Sequence, residues 1–319
     1  MNIAINGFGR IGRTFYHANN NDLPVLVAND LGDVEQLKYL LKYDSVYGQH
    51  NVDSNLTFLA EKDPSKLPWE KMGIELVVES TGFFTKKADA NAHIKAGAKK
   101  VIISAPSEDA DVTIVMGVNE EKYDRKEHNV ISMGSCTTNC LAPIAYAINK
   151  EFVIEKGWMT TVHSYTADQN LVDGPHKKDP RRGRSAALNI VPTSTGAAKA
   201  ISQVIPDLKG KMHGIALRVP TPTVSVVELI CLVKHKTTKQ EVNDILREYA
   251  RGKMQGILSV NDEPLVSSDL RGSAYSSIVD SELTEVVDGN LIHLTAWYDN
   301  EMGYSNRLVD LCKYISKKG

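Results

Sequence analysis

The sequence predicts an α/β protein with two domains: a Rossmann-type doubly wound parallel sheet, and an α+β domain built on a mostly antiparallel sheet. The first half of the chain alternates short β-branched or apolar runs with amphipathic segments, which is typical of strands joined by helical crossovers. The second half has longer runs rich in Val, Thr and Ile, which favour antiparallel pairing. A glycine-rich turn directly follows the first run.

The first half contains six predicted strands and three predicted helices. The strands are expected at residues 2–6, 25–29, 76–80, 101–104, 113–117 and 130–132. The helices are expected at residues 9–19, 34–42 and 87–96. We place the first domain at residues 1–135, completed by a C-terminal helix at about residues 301–319.

The second domain is placed at residues 136–300. Its strands are expected at residues 157–166, 214–219, 223–234 and 291–297, and its helices at residues 137–150, 193–205 and 239–252. No periodic pattern appears between residues 170 and 192. A structureless connection of that length inside a compact domain is typically functional.

The composition is that of an ordinary globular protein and excludes collagen-like or disordered classes. The 319 residues are 42% hydrophobic and 24% charged, with a formal net charge of -2, so a nucleic-acid partner or attraction to an anionic membrane is not expected. Four cysteines are too few for a disulfide framework, and no apolar run approaches the ~18 residues of a membrane span. The chain is predicted to be cytoplasmic.

The glycine-rich turn has the spacing of a dinucleotide-binding fingerprint. Gly7, Gly9 and Gly12 lie between the first strand and the first helix, and Asp30 ends the next strand. Such glycines let the backbone approach a pyrophosphate, whose charge is held by the N–H groups of the helix start. Asp30 would bind the ribose hydroxyls and repel a 2′-phosphate, which favours NAD over NADP. The alternative is a turn that only packs strand against helix.

Cys136 is the candidate nucleophile because it begins a predicted helix that follows a strand. The positive end of the helix dipole lowers a thiol pKa, although a lone cysteine can equally be a small buried hydrophobic residue. Cys140, one turn on, suggests half a metal site or a redox pair, but no second pair of ligands has suitable spacing, so no metal is expected. His163, on a predicted strand, is an available base.

Seven segments together resemble the phosphorylating glyceraldehyde-3-phosphate dehydrogenases, in the same order and over essentially the whole chain. They are residues 5–13, 41–45, 79–82, 135–143, 194–199, 218–222 and 297–301. The resemblance implies that the Cys136 thiolate attacks the aldehyde of glyceraldehyde 3-phosphate and that His163 takes the proton. Hydride transfer to NAD then leaves a thioester, which inorganic phosphate cleaves to an acyl phosphate, as in glycolysis and gluconeogenesis.

The resemblance also implies the binding residues. The substrate phosphate would contact Thr166, Asp168, Arg182 and Arg218, and the inorganic phosphate Ser135, Thr137, Thr195 and Gly196. The cofactor would contact Arg10, Ile11, Asp30, Lys62, Ser104 and Asn300, besides Gly7, Gly9 and Gly12. Leu31 and the Gly174-Pro175 pair resemble the NAD-using branch, and by the same resemblance the 170–192 loop would lie at the core of a homotetramer.

Three departures from the family pattern bear on the site. Met133-Gly134 replaces the usual pair before the cysteine motif, Ala167 replaces a frequent asparagine, and the stretch 49–58 is shorter than usual. Two alternatives stay open: a related enzyme acting on erythrose 4-phosphate, and a non-catalytic NAD-binding redox sensor in which Cys136 is an oxidation target.

Overall fold

The computed structural model describes residues 1–51 and 56–318. Contacts divide the chain into two compact units, Met1–Ser135 with Ser305–Gly319, and Cys136–Tyr304. The helices are α1 (Arg10–Asn19), α2 (Val34–Lys42), α3 (Lys87–Lys95), α4 (Cys136–Phe152), α5 (Ala197–Val204), α6 (Lys239–Arg251) and α7 (Met302–Lys318).

The first unit contains a parallel sheet with strand order β5-β2-β1-β6-β7-β9-β8 in the described part of the chain. Its strands, with the small antiparallel pair β3 and β4, are β1 (Ile3–Asn6), β2 (Val25–Asn29), β3 (Tyr43–Asp44), β4 (Gly48–Gln49), β5 (Thr57–Leu59), β6 (Leu76–Glu79), β7 (Lys100–Ile103), β8 (Val112–Thr113) and β9 (Val130–Ser132). The predicted doubly wound parallel sheet is confirmed.

The second unit contains a mixed sheet with strand order β11-β12-β10-β13-β17-β15-β14, and β16 pairs with β17. Its strands are β10 (Ile154–Ser164), β11 (Val191–Ser194), β12 (Met212–Val219), β13 (Ser225–Val233), β14 (Leu258–Asn261), β15 (Ser277–Asp280), β16 (Glu285–Val287) and β17 (Leu291–Tyr298). Two pairs, β10 with β12 and β14 with β15, are parallel, and the other pairs are antiparallel. The predicted mostly antiparallel sheet is confirmed.

Burial patterns explain why the two halves of the sequence differ. Every residue of β1, β6 and β7 is buried, as expected for parallel strands covered on both faces. Strand β13 alternates buried with more exposed positions, because one face of the second sheet is less covered. Because β2 and β6 both pair with β1 in parallel, the carboxyl ends of the three strands meet at one edge of the sheet, where ligands of this fold bind.

The structure corrects several predicted elements. The predicted helix at residues 193–205 is wrong at its start, because Thr193 and Ser194 pair with β12 and the helix begins at Ala197. The predicted strand at residues 113–117 is reduced to Val112–Thr113. The short strands β3, β4, β5, β14, β15 and β16 were not predicted, because segments of two to four residues have little periodicity of their own.

Two further findings concern the described residues alone. No helix within residues 1–51 and 56–318 is long and apolar enough to cross a membrane. In those same ranges, no group of three or more His, Cys, Asp or Glu side chains could hold a metal ion. Part of the shortened 49–58 stretch, residues 52–55, lies outside the described residues.

Candidate active site

The glycine turn of the first unit packs tightly at two positions and is open at the third. Gly7 has φ +92°, and a Cβ there would lie 2.6 Å from the backbone nitrogen of Thr81. A Cβ on Gly12 would lie 2.3 Å from the carbonyl oxygen of Gly7. A Cβ on Gly9 would meet no atom within 4 Å. Packing thus requires Gly7 and Gly12, whereas Gly9 leaves space beside the backbone for a ligand.

The surroundings of this turn suit a dinucleotide. Helix α1 begins right after Gly9 with no acidic residue in its first turn, which favours an anion there. The Asp30 carboxylate accepts the Phe8 N–H over 2.7 Å and the Gly32 N–H over 2.9 Å. Because a carboxylate has about four acceptor positions, Asp30 can also accept ribose hydroxyls. The residues present therefore fit NAD.

The other predicted cofactor residues differ from one another in burial and in their contacts. Arg10 pairs with the Asp44 carboxylate, and its guanidinium lies 5.7 Å from the centre of the Tyr47 ring. Ile11 is half-buried, Lys62 is exposed, and the Ser104 N–H donates to the Glu79 carbonyl over 2.9 Å. Asn300 belongs to the second unit, where its Oδ1 accepts the Ser225 hydroxyl over 2.9 Å.

The second unit brings Cys136 and His163 into contact. Cys136 begins α4 and is half-buried, whereas the His163 ring on β10 is 3% exposed. The Cys136 Sγ lies 3.4 Å from His163 Nε2. The pair has the geometry of a nucleophile beside its base.

The pKa of the Cys136 thiol differs from the expectation based on the helix start. Burial raises this pKa, while the Arg218 charge and the hydrogen bonds of Thr137 lower it less strongly. Burial, followed by the Arg218 charge, lowers the pKa of His163 to about 3. A raised thiol pKa beside a lowered imidazole pKa favours a neutral thiol next to a neutral imidazole, an arrangement in which Nε2 can accept the thiol proton.

Arg218 contacts the other ring nitrogen of His163. The parallel pairing of β10 with β12 sets the two residues side by side, with Arg218 Nη1 2.7 Å from His163 Nδ1. The Ser164 carbonyl oxygen lies 2.7 Å from Nδ1 and 3.1 Å from Nη1. The Arg218 guanidinium and the Ser164 carbonyl oxygen thus compete for His163 Nδ1. Whichever of them bonds to Nδ1 determines which ring nitrogen carries the proton.

Arg182 comes from the 170–192 loop, where it lies in the short helical turn Pro180–Gly183. Its guanidinium pairs with Asp168, and its Nε donates to Thr193 Oγ1 over 2.8 Å. The charges of Arg182 and Asp168 both influence the pKa of Arg218, which burial lowers. Arg182, Asp168 and Arg218 therefore lie near enough for their charges to interact, and the Arg218 charge also lowers the pKa of the Cys136 thiol.

The remaining predicted phosphate residues lie at turns and helix starts. Thr166 begins a turn, and its carbonyl oxygen accepts the Gln169 N–H over 2.9 Å. Thr195 Oγ1 accepts the Ala197 N–H over 3.2 Å, and the exposed Gly196 precedes α5. Ser135, half-buried, directly precedes α4. These are positions from which hydroxyl and N–H groups can bind an anion.

Sequence reasoning missed Tyr298 as a site residue. Its hydroxyl lies 2.9 Å from both Thr137 Oγ1 and Thr161 Oγ1, and its ring meets the His163 ring edge-on at 5.9 Å. It thereby ties the start of α4 to β10 and β17. Tyr298 lies in the 297–301 motif, but a tyrosine in an apolar strand gives no sign of this role.

The backbone accommodates the substituted pair Met133-Gly134 that precedes Cys136. Met133 is fully buried, and Gly134 has φ +65°, a conformation that favours glycine. The Gly134 N–H donates to Ser132 Oγ over 3.0 Å. Ala167, the other substitution, is exposed in the turn after β10.

The chain is similar to known proteins over its whole length. Residues 1–87 match the family model described as glyceraldehyde 3-phosphate dehydrogenase, NAD binding domain, and residues 135–300 match that of its C-terminal domain. The chain is 55% identical to glyceraldehyde-3-phosphate dehydrogenase 1 of Bacillus subtilis and 52% identical to the enzyme of that name from Geobacillus stearothermophilus. Each alignment covers 100% of this chain and 99% of the relative. Both alignments span 333 positions, more than the 319 residues here, so the chain lacks residues that these relatives have.

Proposed function

The chain belongs to the glyceraldehyde-3-phosphate dehydrogenase family, and we propose that it oxidises glyceraldehyde 3-phosphate to 1,3-bisphosphoglycerate, using NAD and inorganic phosphate. The observation that carries this is the contact between the half-buried Cys136 thiol and the neutral His163 ring, 3.4 Å apart, at the start of α4. NAD binding is assigned to residues 1–135 with the C-terminal helix, and catalysis to residues 136–300.

The chemistry follows from what each side chain can do. His163 Nε2 accepts the Cys136 proton while Sγ attacks the aldehyde carbon, which forms a hemithioacetal. NAD, when bound, supplies the acceptor for the hydride that leaves this carbon. The resulting thioester on Cys136 retains the energy of oxidation, and a phosphate oxygen displaces the thiolate to give the acyl phosphate. His163 then returns its proton to the thiolate.

Two anions need two sets of donors. We assign the substrate phosphate to Arg182 and Arg218, with Thr166 and Asp168 beside them, because the two guanidinium groups supply fork-shaped donors. We assign the attacking phosphate to Ser135, Thr137, Thr195 and Gly196, at the starts of α4 and α5.

NAD is the cofactor, and the residues after β2 suit it better than NADP. The Asp30 carboxylate is fixed by two backbone N–H groups where the adenosine ribose would lie, and would repel a 2′-phosphate. Leu31, next to it, is 63% exposed and offers no cation to such a phosphate.

We also propose a homotetramer in the cytoplasm. Support for assembly comes from four large apolar side chains in one loop, exposed by two thirds or more: Leu171, Val172, Leu188 and Ile190. Support for the compartment comes from the chemistry, because Cys136 must remain a free thiol and all four cysteines are unpaired.

One assay tests the activity. NADH formation is followed with glyceraldehyde 3-phosphate as substrate, with and without inorganic phosphate or arsenate, and with erythrose 4-phosphate in a parallel series. We expect a phosphate-dependent rate that is lost in Cys136→Ser and retained in Cys140→Ser, since Cys140 is buried and bonded to Ser277 and Ala296. No phosphate-dependent rate would refute the function, and a higher kcat/KM for erythrose 4-phosphate would reassign the substrate.

A further inference from the structure

A buried hydrogen-bonded network joins the carboxyl ends of three neighbouring strands next to the glycine turn. Asn29 ends β2, Asn6 ends β1 and Glu79 ends β6. Asn29 Nδ2 donates to Asn6 Oδ1 over 2.7 Å, and Asn6 Nδ2 donates to Glu79 Oε2 over 2.6 Å. All three residues are less than 5% exposed. The network thus leads to a carboxyl group that has almost no access to water.

The hydrogen bonds around Glu79 fix its charge. Trp69 Nε1–H donates to His93 Nδ1 over 3.0 Å, so the ring proton is on Nε2, 3.1 Å from Glu79 Oε2. The Thr81 N–H and hydroxyl both donate to Glu79 Oε1, and the hydroxyl oxygen also accepts the Phe83 N–H. A protonated carboxyl group would lose one of these acceptor positions to its own O–H, so the four donors on its two oxygens favour the carboxylate. The contacts therefore hold Glu79 as an anion and His93 as a neutral ring.

This negative charge is not neutralised locally. Across residues 1–51 and 56–318, the ion-pair contact of Glu79 is with His93, whose ring is neutral in this arrangement. Hydrogen bonds can stabilise a buried carboxylate, but its field extends farther than in water because the surroundings are weakly polarisable. A nearby cation would therefore be favoured.

The strand order indicates which ligand group would experience this field. β2 and β6 flank β1 on opposite sides, and Asp30, assigned to the adenosine ribose, follows β2. A dinucleotide that crosses the sheet edge at the start of α1 would extend its nicotinamide half toward β6. Glu79 ends β6, and the Ser80 hydroxyl that follows it donates to the Gly7 carbonyl over 2.7 Å.

We propose that the buried charge of Glu79 makes the site prefer the oxidised cofactor, because it stabilises the cationic nicotinamide ring of NAD⁺ relative to the neutral ring of NADH. This inference rests on the proposed function and extends it from cofactor identity to cofactor redox state. Glu79 acts through its charge and not by contact with the ring.

The test compares dissociation constants of NAD⁺ and NADH, measured by calorimetry on the whole protein without substrate. Glu79→Gln keeps the size of the side chain and removes the charge. We expect it to weaken NAD⁺ binding roughly three- to thirtyfold more than NADH binding. Because the interaction is buried, the changed ratio should persist in 0.5 M salt, a concentration that screens surface charges to within about 5 Å.

Glu79→Asp is the matched control, because it keeps the charge and disturbs the hydrogen bonds. We expect it to weaken both cofactors alike and leave their ratio unchanged. An equal loss for both cofactors in Glu79→Gln would overturn the proposal and leave a purely structural network. Should Glu79→Gln not fold, a changed ratio in Glu79→Asp still overturns the proposal, because that variant retains the charge. The unsubstituted protein then gives the other reading: tighter binding of NAD⁺ than of NADH supports the proposal, and tighter binding of NADH overturns it. Absence of saturable NAD⁺ binding to the unsubstituted protein would instead overturn the proposed function.

Discussion

Nη1 of Arg218 lies 2.7 Å from Nδ1 of His163, and the parallel register of β10 with β12 sets the two residues opposite each other. When Arg218 donates to Nδ1, the ring proton is on Nε2, which faces Cys136. When Nδ1 donates to the Ser164 carbonyl instead, Nε2 becomes free to accept the thiol proton. An anion that draws Arg218 away would therefore favour the tautomer that acts as a base.

We expect Arg218→Gln to shift the reactivity of Cys136 to higher pH. The Arg218 charge lowers the pKa of both Cys136 and His163, so its removal raises both. The measurement is the rate of alkylation by iodoacetamide against pH, without substrate. Arg218→Lys keeps the charge and should leave the profile near its original position, while kcat/KM falls about tenfold or more because the fork is lost. An unmoved profile in Arg218→Gln would contradict this electrostatic role.

Replacing His163 with asparagine should lower kcat by about 10²–10⁴-fold, the usual contribution of a positioned base. The alkylation profile of Cys136 should also move upward, since the thiol loses its proton acceptor. His213→Asn is the control, because His213 is an exposed strand residue that stacks on Trp158. Near-normal turnover in His163→Asn would exclude the assigned base.

The same ring sets an expectation for the unsubstituted protein. Burial and Arg218 hold the pKa of His163 at about 3, well below 6.5, so the ring stays neutral as the pH falls from 7 to 5. We therefore expect the profile of kcat/KM to show no loss from His163 protonation in that range. A fall of kcat/KM below about pH 6.5 that disappears in His163→Asn would contradict this, because it would show that the His163 ring is protonated far more easily than its burial implies.

Alkylation should be confined to one cysteine. Cys136 is half-buried, whereas Cys140, Cys231 and Cys312 are fully buried. Burial also raises the pKa of these three thiols, that of Cys231 to about 12. Mass spectrometry after one equivalent of iodoacetamide at pH 8 should find the label on Cys136, with a parallel loss of activity. Label on Cys140 in Cys136→Ala would show that the start of α4 opens in solution.

The sequence predicted the features whose signals are local. The glycine spacing, the helix that begins at Cys136 and the alternation of strands with helices are each contained in a short segment. The Glu79 network could not be predicted, since it joins residues 14 to 73 positions apart by hydrogen bonds between buried side chains. The role of Tyr298 could not be predicted for the same reason, because its hydrogen-bond partner Thr137 is 161 positions away along the chain. Helix was wrongly predicted at Thr193 and Ser194 because pairing with β12 outweighs the local pattern.

The glycine turn allows binding and folding to be separated. Gly12→Ala would place a Cβ 2.3 Å from the Gly7 carbonyl oxygen, so we expect the free energy of unfolding to fall by about 1–3 kcal/mol. Gly9→Ala meets no protein atom within 4 Å and should change stability by less than about 1 kcal/mol, while NAD affinity falls. Urea unfolding and calorimetric titration with NAD measure the two effects. Unchanged NAD affinity in Gly9→Val, the bulkier variant, would exclude a pyrophosphate at this position.

The exposed loop makes a prediction about assembly. Leu188 is 82% exposed and Leu171 75% exposed, although transfer of such a side chain from water to an apolar contact is worth about 1.5–3 kcal/mol. If the loop lies between subunits, Leu188→Asp buries a charge in every copy of the interface, and sedimentation velocity should show a tetramer converted to smaller species. Leu283→Asp is the control, because Leu283 is also exposed but lies outside the loop. A monomeric unsubstituted protein, or a tetramer equally stable in both variants, would show that the loop does not form the subunit interface. Dissociation in Leu188→Asp alone would assign the apolar part of the loop to assembly, while its Arg182 remains assigned to the substrate phosphate.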